Sequence, residues 1–261
     1  MAKQAKELAA KIAVLNFSGN VGKSTVSRHL LMPNMKDPVY VPVESINADE
    51  GEGETVRGTE WGRLQEDLMF EESVVVDIGA SNVEPFMRLM NQYRGSHEEF
   101  DYFVIPAVSD SKQIRDTLAT IDALHEMGVP KTSIRVVFNR VALDDVLQDD
   151  FHVLFNHHAD TGYYMLNANA WIEYSEVYPR MRALGLTLDD VLADKTDWRA
   201  IGQEAKAKGD QDRMYEAQSM VSLIRLARSA RDNLAAAFAA LMAPEAKPAK
   251  PASAAATTSA E

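Results

Sequence analysis

Short runs of β-branched and other apolar residues recur along the first half of the chain, separated by longer stretches whose apolar positions return every three or four residues. Residues 12–16, 39–43, 73–77, 102–106 and 134–139 are continuous apolar runs, the pattern of strands covered on both faces in a parallel sheet. Between them helices are expected over 23–31, 59–69, 84–93 and 111–127. In the last of these Ile114, Leu118, Ile121 and Leu124 lie along one face, and Asp110 is placed to cap the first turn. Strand alternating with helix implies βαβ units joined by right-handed crossovers. A three-layer α/β/α fold with a mainly parallel sheet is therefore expected, its core over residues 11–140.

Past Val141 the pattern turns to longer helical stretches containing Trp171, Tyr174, Tyr178 and Trp198, with one short apolar run, 163–166, as a candidate sixth strand. Pro179 should kink or separate the helices around it. Residues 216–242 carry Met220, Leu223, Ile224, Ala227, Leu234, Phe238 and Leu241 at three- and four-residue steps, which makes an amphipathic helix. Arg225, Arg228 and Arg231 flank its apolar face, and covering the sheet is the favoured reading. From Ala243 the chain is Ala, Pro, Lys, Ser and Thr without periodicity, and 243–261 reads as a disordered tail. One domain over 1–242 is expected, with the core at 11–140 and a helical elaboration at 141–242.

Composition narrows the functional classes. The 261 residues include 39 acidic and 27 basic side chains, a formal charge of −12, so phosphate-coated DNA should be repelled on average. Direct DNA binding is expected to be weak or absent. There is no cysteine, which excludes thiol catalysis, Cys-based metal centres and disulfides, and fits a reducing cytoplasm. No run approaches the roughly 20 apolar residues of a membrane span. The basic start followed by an apolar stretch faintly resembles a signal peptide, but the stretch ends in Ser-Gly-Asn-Val-Gly-Lys with no small-residue cleavage site.

The strongest chemical signal is Phe17-Ser18-Gly19-Asn20-Val21-Gly22-Lys23-Ser24-Thr25, between the first strand and the first helix. A phosphate chain needs inward-facing backbone N–H groups, glycines for the tight loop, a Lys for terminal phosphates and a hydroxyl for Mg²⁺, all at a helix N-terminus. Gly19, Gly22, Lys23 and Ser24 occur in that order, although the strict G-x-x-x-x-G-K-[ST] pattern would place its first glycine at Phe17. The competing explanation is a Gly-rich turn with an incidental lysine. Asp77 ends the run 73–77 and could support Mg²⁺ as a Walker B acid; alone it could equally be a cap or turn residue. Asn139, at the end of 134–139, could hydrogen-bond a purine edge or simply form a turn.

The loop, the V-V-V-D strand and the V-V-F-N-R strand, in this order, resemble the deviant-Walker ATPases of the ParA/MinD superfamily, P-loop NTPases whose loop reads K-G-G-x-G-K-[ST]. The phrase N-F-S-G-N-V-G-K-S-T is similar to the variant loop of StbB-type plasmid stability proteins. The resemblance covers about residues 11–140. It implies ATP and Mg²⁺ as cofactors, a loop of Ser18, Gly19, Asn20, Val21 and Gly22 around the phosphates, and Lys23 as their cation. It further implies Ser24 as Mg²⁺ ligand, Thr25 on the α-phosphate, Asp77 supporting Mg²⁺ and Asn139 on adenine.

Two departures bear on catalysis. The signature lysine of that family falls at Ser18, and its second loop glycine is Asn20. Losing a cation where phosphate charge develops should slow hydrolysis while leaving binding possible. The family's water-orienting acid has no clean equivalent; Glu44 is the candidate, with a solvated loop carboxylate as the rival explanation. The acidic stretch 49–54 reads either as a solvated loop or as a nucleotide-sensitive segment. His157, His158 and Asp160 make a weak metal set, since adjacent histidines cannot share one helix face.

The expected function is that of a cytoplasmic ATP-binding, slowly hydrolysing switch in plasmid stability, segregation or positioning. The resemblance implies a nucleotide-dependent homodimer and, because MinD-like relatives use such a helix at the bilayer, a membrane contact of the 216–242 helix that is not the favoured reading; the acidity of this chain suggests a basic DNA-binding partner protein. The alternatives are a nucleotide-dependent interaction module with negligible turnover, and a small-molecule kinase built on the same loop.

Overall fold

The computed structural model describes residues 8–43 and 61–244. Six strands form one sheet: β1 (Lys11–Val14), β2 (Val39–Val43), β3 (Val74–Ile78), β4 (Tyr102–Ala107), β5 (Ile134–Val141) and β6 (Met165–Glu173), in the order β2-β3-β1-β4-β5-β6. Every neighbouring pair is parallel. The chain goes from β1 to one flank for β2 and β3, then crosses to the other flank for β4, β5 and β6. The carboxyl end of β1 therefore faces a switch in strand order, where open α/β sheets form their ligand crevices.

Burial on both faces follows from the apolar runs. Ala13 and Leu15 point to one side, into a core with Val74, Val76, Phe103, Ile105 and Phe138, while Ile12 and Val14 point to the other, with Val75, Val104 and Val137. The first core is closed by α3 (Ala80–Gln92), α4 (Ser111–Glu126) and α6 (His152–Thr161). The second is closed by the helix that follows β1, by α7 (Val177–Leu184) and by a 31-residue helix, α10 (Gln211–Leu241). Truncating one such fully buried aliphatic side chain to Ala costs about 2–5 kcal/mol.

The helix after β1 starts as α1 (Lys23–Thr25), widens into a π-type segment over Val26–Leu31 and tightens into a 3₁₀ turn at Met32–Asn34. The others are α2 (Trp61–Met69), the single turn α5 (Leu147–Asp150), α8 (Leu188–Ala193) and α9 (Trp198–Lys208). Asp110 caps α4 as expected, its Oδ1 accepting from the Lys112 amide at 2.9 Å.

Three expectations need correction. The parallel sheet is not confined to residues 11–140: β6 extends to Glu173, so Trp171 lies on a strand and not in a helical stretch. Asn167 and Asn169 interrupt the apolar run along this strand, so only 163–166 reads as continuously apolar. Pro179 neither kinks nor separates helices. It is the third residue of α7, in the first turn, where its missing N–H deprives no acceptor. Helix α3 starts at Ala80, one turn before the expected 84.

The long C-terminal helix covers the sheet. Leu223, Ala227, Ala230, Leu234, Ala237 and Leu241 are buried on one stripe, with alanines admitting close approach to the second core. Among the described residues no helix is long and apolar enough to cross a membrane. Polar contacts fix its position on β6: Asn233 Oδ1 accepts from the Glu173 amide at 2.9 Å, and Asn167 Nδ2 donates to the Ala240 carbonyl at 2.9 Å. At its C-terminus, the buried Arg135 donates from Nη1 to the carbonyls of Leu241 (2.7 Å) and Ala243 (2.8 Å). The Arg135 guanidinium also lies 4.8 Å from the centre of the Tyr102 ring. A cation at the negative end of a helix meets carbonyls that have no partner within it.

Arg135→Met keeps most of the volume and removes the donors. It is expected to destabilise the protein by about 1–3 kcal/mol, the cost of leaving buried carbonyls unpaired. Thermal denaturation followed by circular dichroism checks this, and an unchanged midpoint would refute the capping role.

Candidate functional site

Backbone conformation defines the loop between β1 and α1. Asn20 has φ +59° and Gly22 has φ +87°, both in the left-handed region. Asparagine is one of the few residues that tolerates this conformation, so Asn20 preserves a backbone path usually given to glycine. Gly22 faces a second constraint: a β-carbon there would lie 2.0 Å from Asn139 Nδ2. Only glycine fits without displacing the Asn139 side chain.

Three side chains from different parts of the fold hold this path. Asn16, fully buried, donates from Nδ2 to the Pro106 carbonyl (2.9 Å) and Thr117 Oγ1 (2.7 Å), while its Oδ1 accepts from the Ser18 amide (2.8 Å). Thr120 Oγ1 accepts from the Phe17 amide at 3.0 Å. Asn139 donates from Nδ2 to the Val21 carbonyl at 2.8 Å, and its Oδ1 accepts from the Arg140 amide at 3.0 Å. Phe17 packs against the hydrophobic core, so its ring does not fill the loop.

The amides of residues 19–25 have no backbone acceptor among the described residues. The first helical bond of α1 runs from the Val26 amide to the Gly22 carbonyl at 3.0 Å. These unmet donors converge at a helix N-terminus, the local geometry that binds anions. Gly19 and Asn20 are exposed at the open side, and Ser24 presents an exposed hydroxyl.

Lys23 lies beneath this loop with only 9% of its surface exposed. Its Nζ donates to the Ser18 carbonyl at 2.8 Å and the Asn16 carbonyl at 3.3 Å. Burial lowers its pKa to about 8, against the opposing pull of the Asp77 carboxylate. A desolvated ammonium held by two carbonyls gains when an anion arrives to neutralise it.

Asp77, near the carboxyl end of β3 and 6% exposed, pairs in register with Val14 of β1, so sheet pairing alone brings it beside the loop. Its Oδ2 accepts from the Tyr40 hydroxyl at 2.8 Å. Burial, with the Asp77 charge adding to it, pushes the Tyr40 phenol up to about 12, so it remains a donor at ordinary pH. The Arg28 guanidinium lies 4.7 Å from the centre of the Tyr40 ring.

The structure thus brings Ser18, Gly19, Asn20, Val21, Gly22, Lys23, Ser24, Thr25, Asp77 and Asn139 to one end of the sheet. Its arrangement assigns the Asn139 amide to the loop rather than to open space. Glu44, the acidic stretch 49–54 and most of the tail (245–261) lie outside the described residues. His157 bonds Asp122 at 3.2 Å through Nε2 and stacks on Tyr164, and the described residues hold no group of three or more His, Asp or Glu side chains that could hold a metal ion. Asn16 and Tyr40 escape sequence reasoning. Asn16 reads as a strand end, and Tyr40 matters only because β2 pairs with β3, placing Tyr40 beside Val75 and two residues from the Asp77 register.

No family model matches the sequence, and no curated protein matches it. Similar solved structures include a McdA–ATP complex from Cyanothece, 14% identical, covering 83% of this chain and 97% of that chain with a TM-score of 0.46. MinD from Aquifex aeolicus is 14% identical, covering 82% of this chain and 98% of that chain, with a TM-score of 0.47. A plasmid partition protein of Borrelia burgdorferi B31 bound to AMPPNP is 12% identical, covering 84% and 99% with a TM-score of 0.46. At this level of identity and overlap the likeness decides neither activity nor substrate.

Gly22→Ala is expected to destabilise the protein by about 1–3 kcal/mol, combining left-handed strain with the clash against Asn139. In the Asn139→Gly background the added cost should shrink, because the steric part is gone and only the strain remains. Denaturant unfolding of the two single variants and the double variant measures this coupling; strictly additive effects would refute the contact.

Proposed function

We propose that the chain is an Mg²⁺-dependent ATP-binding switch protein of ParA/MinD type, with slow hydrolysis. The observation that most supports this reading is the cradle itself: unmet amides over residues 19–25, the buried Lys23 ammonium and Asp77, gathered at the carboxyl ends of adjacent parallel strands. In this reading the loop amides wrap the phosphates, Lys23 turns from the carbonyls of Asn16 and Ser18 towards the terminal phosphates, and Thr25 meets the α-phosphate. The oxygen donors present, the exposed Ser24 hydroxyl and the Asp77 carboxylate, suit a hard cation. Bound Mg²⁺ would supply charge neutralisation between phosphates. Tyr40 would orient Asp77 by its hydrogen bond.

Slow turnover follows from position 18. There a serine offers its carbonyl to Lys23 and adds no cation where charge develops in phosphoryl transfer. The same observation favours the second reading, a nucleotide-dependent interaction module with negligible turnover. Glu44 remains the proposed water-orienting acid. In either reading nucleotide works through its different affinity for two states, here a nucleotide-bound homodimer and a separated form. The downstream role we assign is plasmid stability or positioning in the cytoplasm, through a basic DNA-binding partner protein, with a loop of StbB-type character. The domain would span 1–242, with Ala243 still held to it through its carbonyl, which accepts from Arg135. Asn139 would hold the loop closed beneath the nucleotide, with the second Nδ2 proton left to meet adenine.

Lys23→Ala should weaken ATP binding by about a hundredfold or more, as expected for losing a charge-assisted contact; calorimetry showing unchanged affinity would reject the cradle. Asp77→Ala should flatten the Mg²⁺ dependence of binding, read by titrating magnesium at fixed ATP. The depressed pKa of Lys23 also sets a pH dependence. The free protein loses the Lys23 proton as pH rises through about 8, while a bound polyphosphate favours the charged form, so affinity should fall above that pH with proton uptake on binding. Calorimetry in buffers of different ionisation enthalpy checks this, and Lys23→Arg should abolish the effect.

A further inference from the structure

A second feature lies on the helical elaboration, independent of the nucleotide cradle. Helices α9 and α10 cross closely where a β-carbon on Gly202 would meet the Ala217 β-carbon at 3.3 Å. Beside this contact runs an open groove of about 430 Å³. Trp198, Met214 and Val221 form its half-buried apolar floor, and Arg199, Lys206 and Arg225 stand exposed along its walls. No carboxylate lines it, on a chain whose formal charge is −12.

The neighbouring acids are already engaged. Asp194 accepts from the Trp198 indole N–H at 2.6 Å and from the Thr196 amide at 2.8 Å. Glu204 pairs with Lys208, and Glu216 with Arg213, whose guanidinium lies 5.5 Å from the centre of the Trp198 ring. Among the described residues, Arg199, Lys206 and Arg225 have no such partner. Uncompensated cations around an apolar floor are complementary to a ligand that is apolar in the middle and anionic at its edges.

The geometry points to this groove as the docking site for an acidic amphipathic helix of a partner protein. Arg199 and Lys206 are seven residues apart on α9, about 10.5 Å along the axis, which matches two carboxylates at i and i+7 on a helix lying beside it. Arg225 takes a further carboxylate from the opposite wall, and the apolar side of the guest helix covers Trp198, Met214 and Val221. A nucleic acid suits the site less well. It carries a charge every 1.7 Å or so and must have many neutralised, whereas three cations on an acidic protein neutralise few.

Fluorescence anisotropy with the full chain tests the proposal against three labelled probes: a helical peptide of about 15 residues with Leu on one face and Glu at i and i+7 flanking it, its Lys-for-Glu counterpart, and a duplex DNA of about 20 base pairs. The Glu peptide should bind, should weaken with salt, and should lose at least about tenfold in affinity to the Arg199→Glu, Arg225→Glu double variant, which should instead gain affinity for the Lys peptide. Circular dichroism melting confirms that the variant remains folded; should it not, Arg199→Gln and Arg225→Gln are tested singly, each expected to weaken the Glu peptide. Trp198→Phe should reduce Glu-peptide binding while leaving ATP affinity unchanged. Equal binding of the Glu and Lys peptides, absence of Glu-peptide binding, or indifference to the Arg substitutions would overturn the proposal. DNA binding tighter than the Glu peptide and lost in the same variant would overturn it in favour of a nucleic-acid surface.

Discussion

The candidate site depends on the contact between the Asn139 amide and the backbone at Gly22. A side chain from the end of β5 occupies the space that a β-carbon at residue 22 would need, and bonds the Val21 carbonyl from there. This ties the loop after β1 to a strand two positions away in the sheet. With Asn16 anchoring the start of the loop to β4 and α4, the backbone is held at both ends. Its amides are therefore set in place before any anion arrives, and little ordering remains to oppose binding.

Lys23 is the electrostatic counterpart of this backbone. Its burial is costly, as the lowered pKa records, and two carbonyls with the nearby Asp77 charge only partly compensate. A buried cation in that condition favours a polyanion more than a solvated lysine would, because less hydration must be removed at the moment of contact. Tyr40 links the two flanks of the site by holding Asp77 while its own ring lies beneath Arg28. Asp77 on β3 is thus connected through Tyr40 of β2 to Arg28 in the π-type segment that follows α1.

The C-terminal half plays a different part. Helix α10 closes the second core with a stripe of Ala and Leu, and Arg135 fastens its end to the sheet. That leaves its other side, with α9, free to form a surface whose charge is opposite to that of the chain as a whole. An acidic protein with a basic apolar groove can separate two recognition tasks, since the overall field discourages long polyanions such as DNA while the groove suits a short acidic segment.

The amino-acid pattern alone determined the first five strands, the alternation of helix and strand, the cap at Asp110 and the loop from Ser18 to Thr25, because each is a local relation among neighbours. Apolar runs mark strands buried on both faces, and a Gly-Lys-Ser order between strand and helix is visible without knowing what lies beside it. Tertiary structure alone decided the roles of Asn16, Tyr40 and Asn139 and the length of β6. Tyr40 reaches Asp77 only because β2 pairs with β3, and Asn139 reaches Gly22 only because β5 ends at the same edge as β1. The full length of β6 is not legible because Asn167 and Asn169 interrupt its apolar run, and the effect of Pro179 depends on whether it falls in a first turn or a helix interior. These relations join residues as many as 118 positions apart, and no local periodicity carries information across that distance.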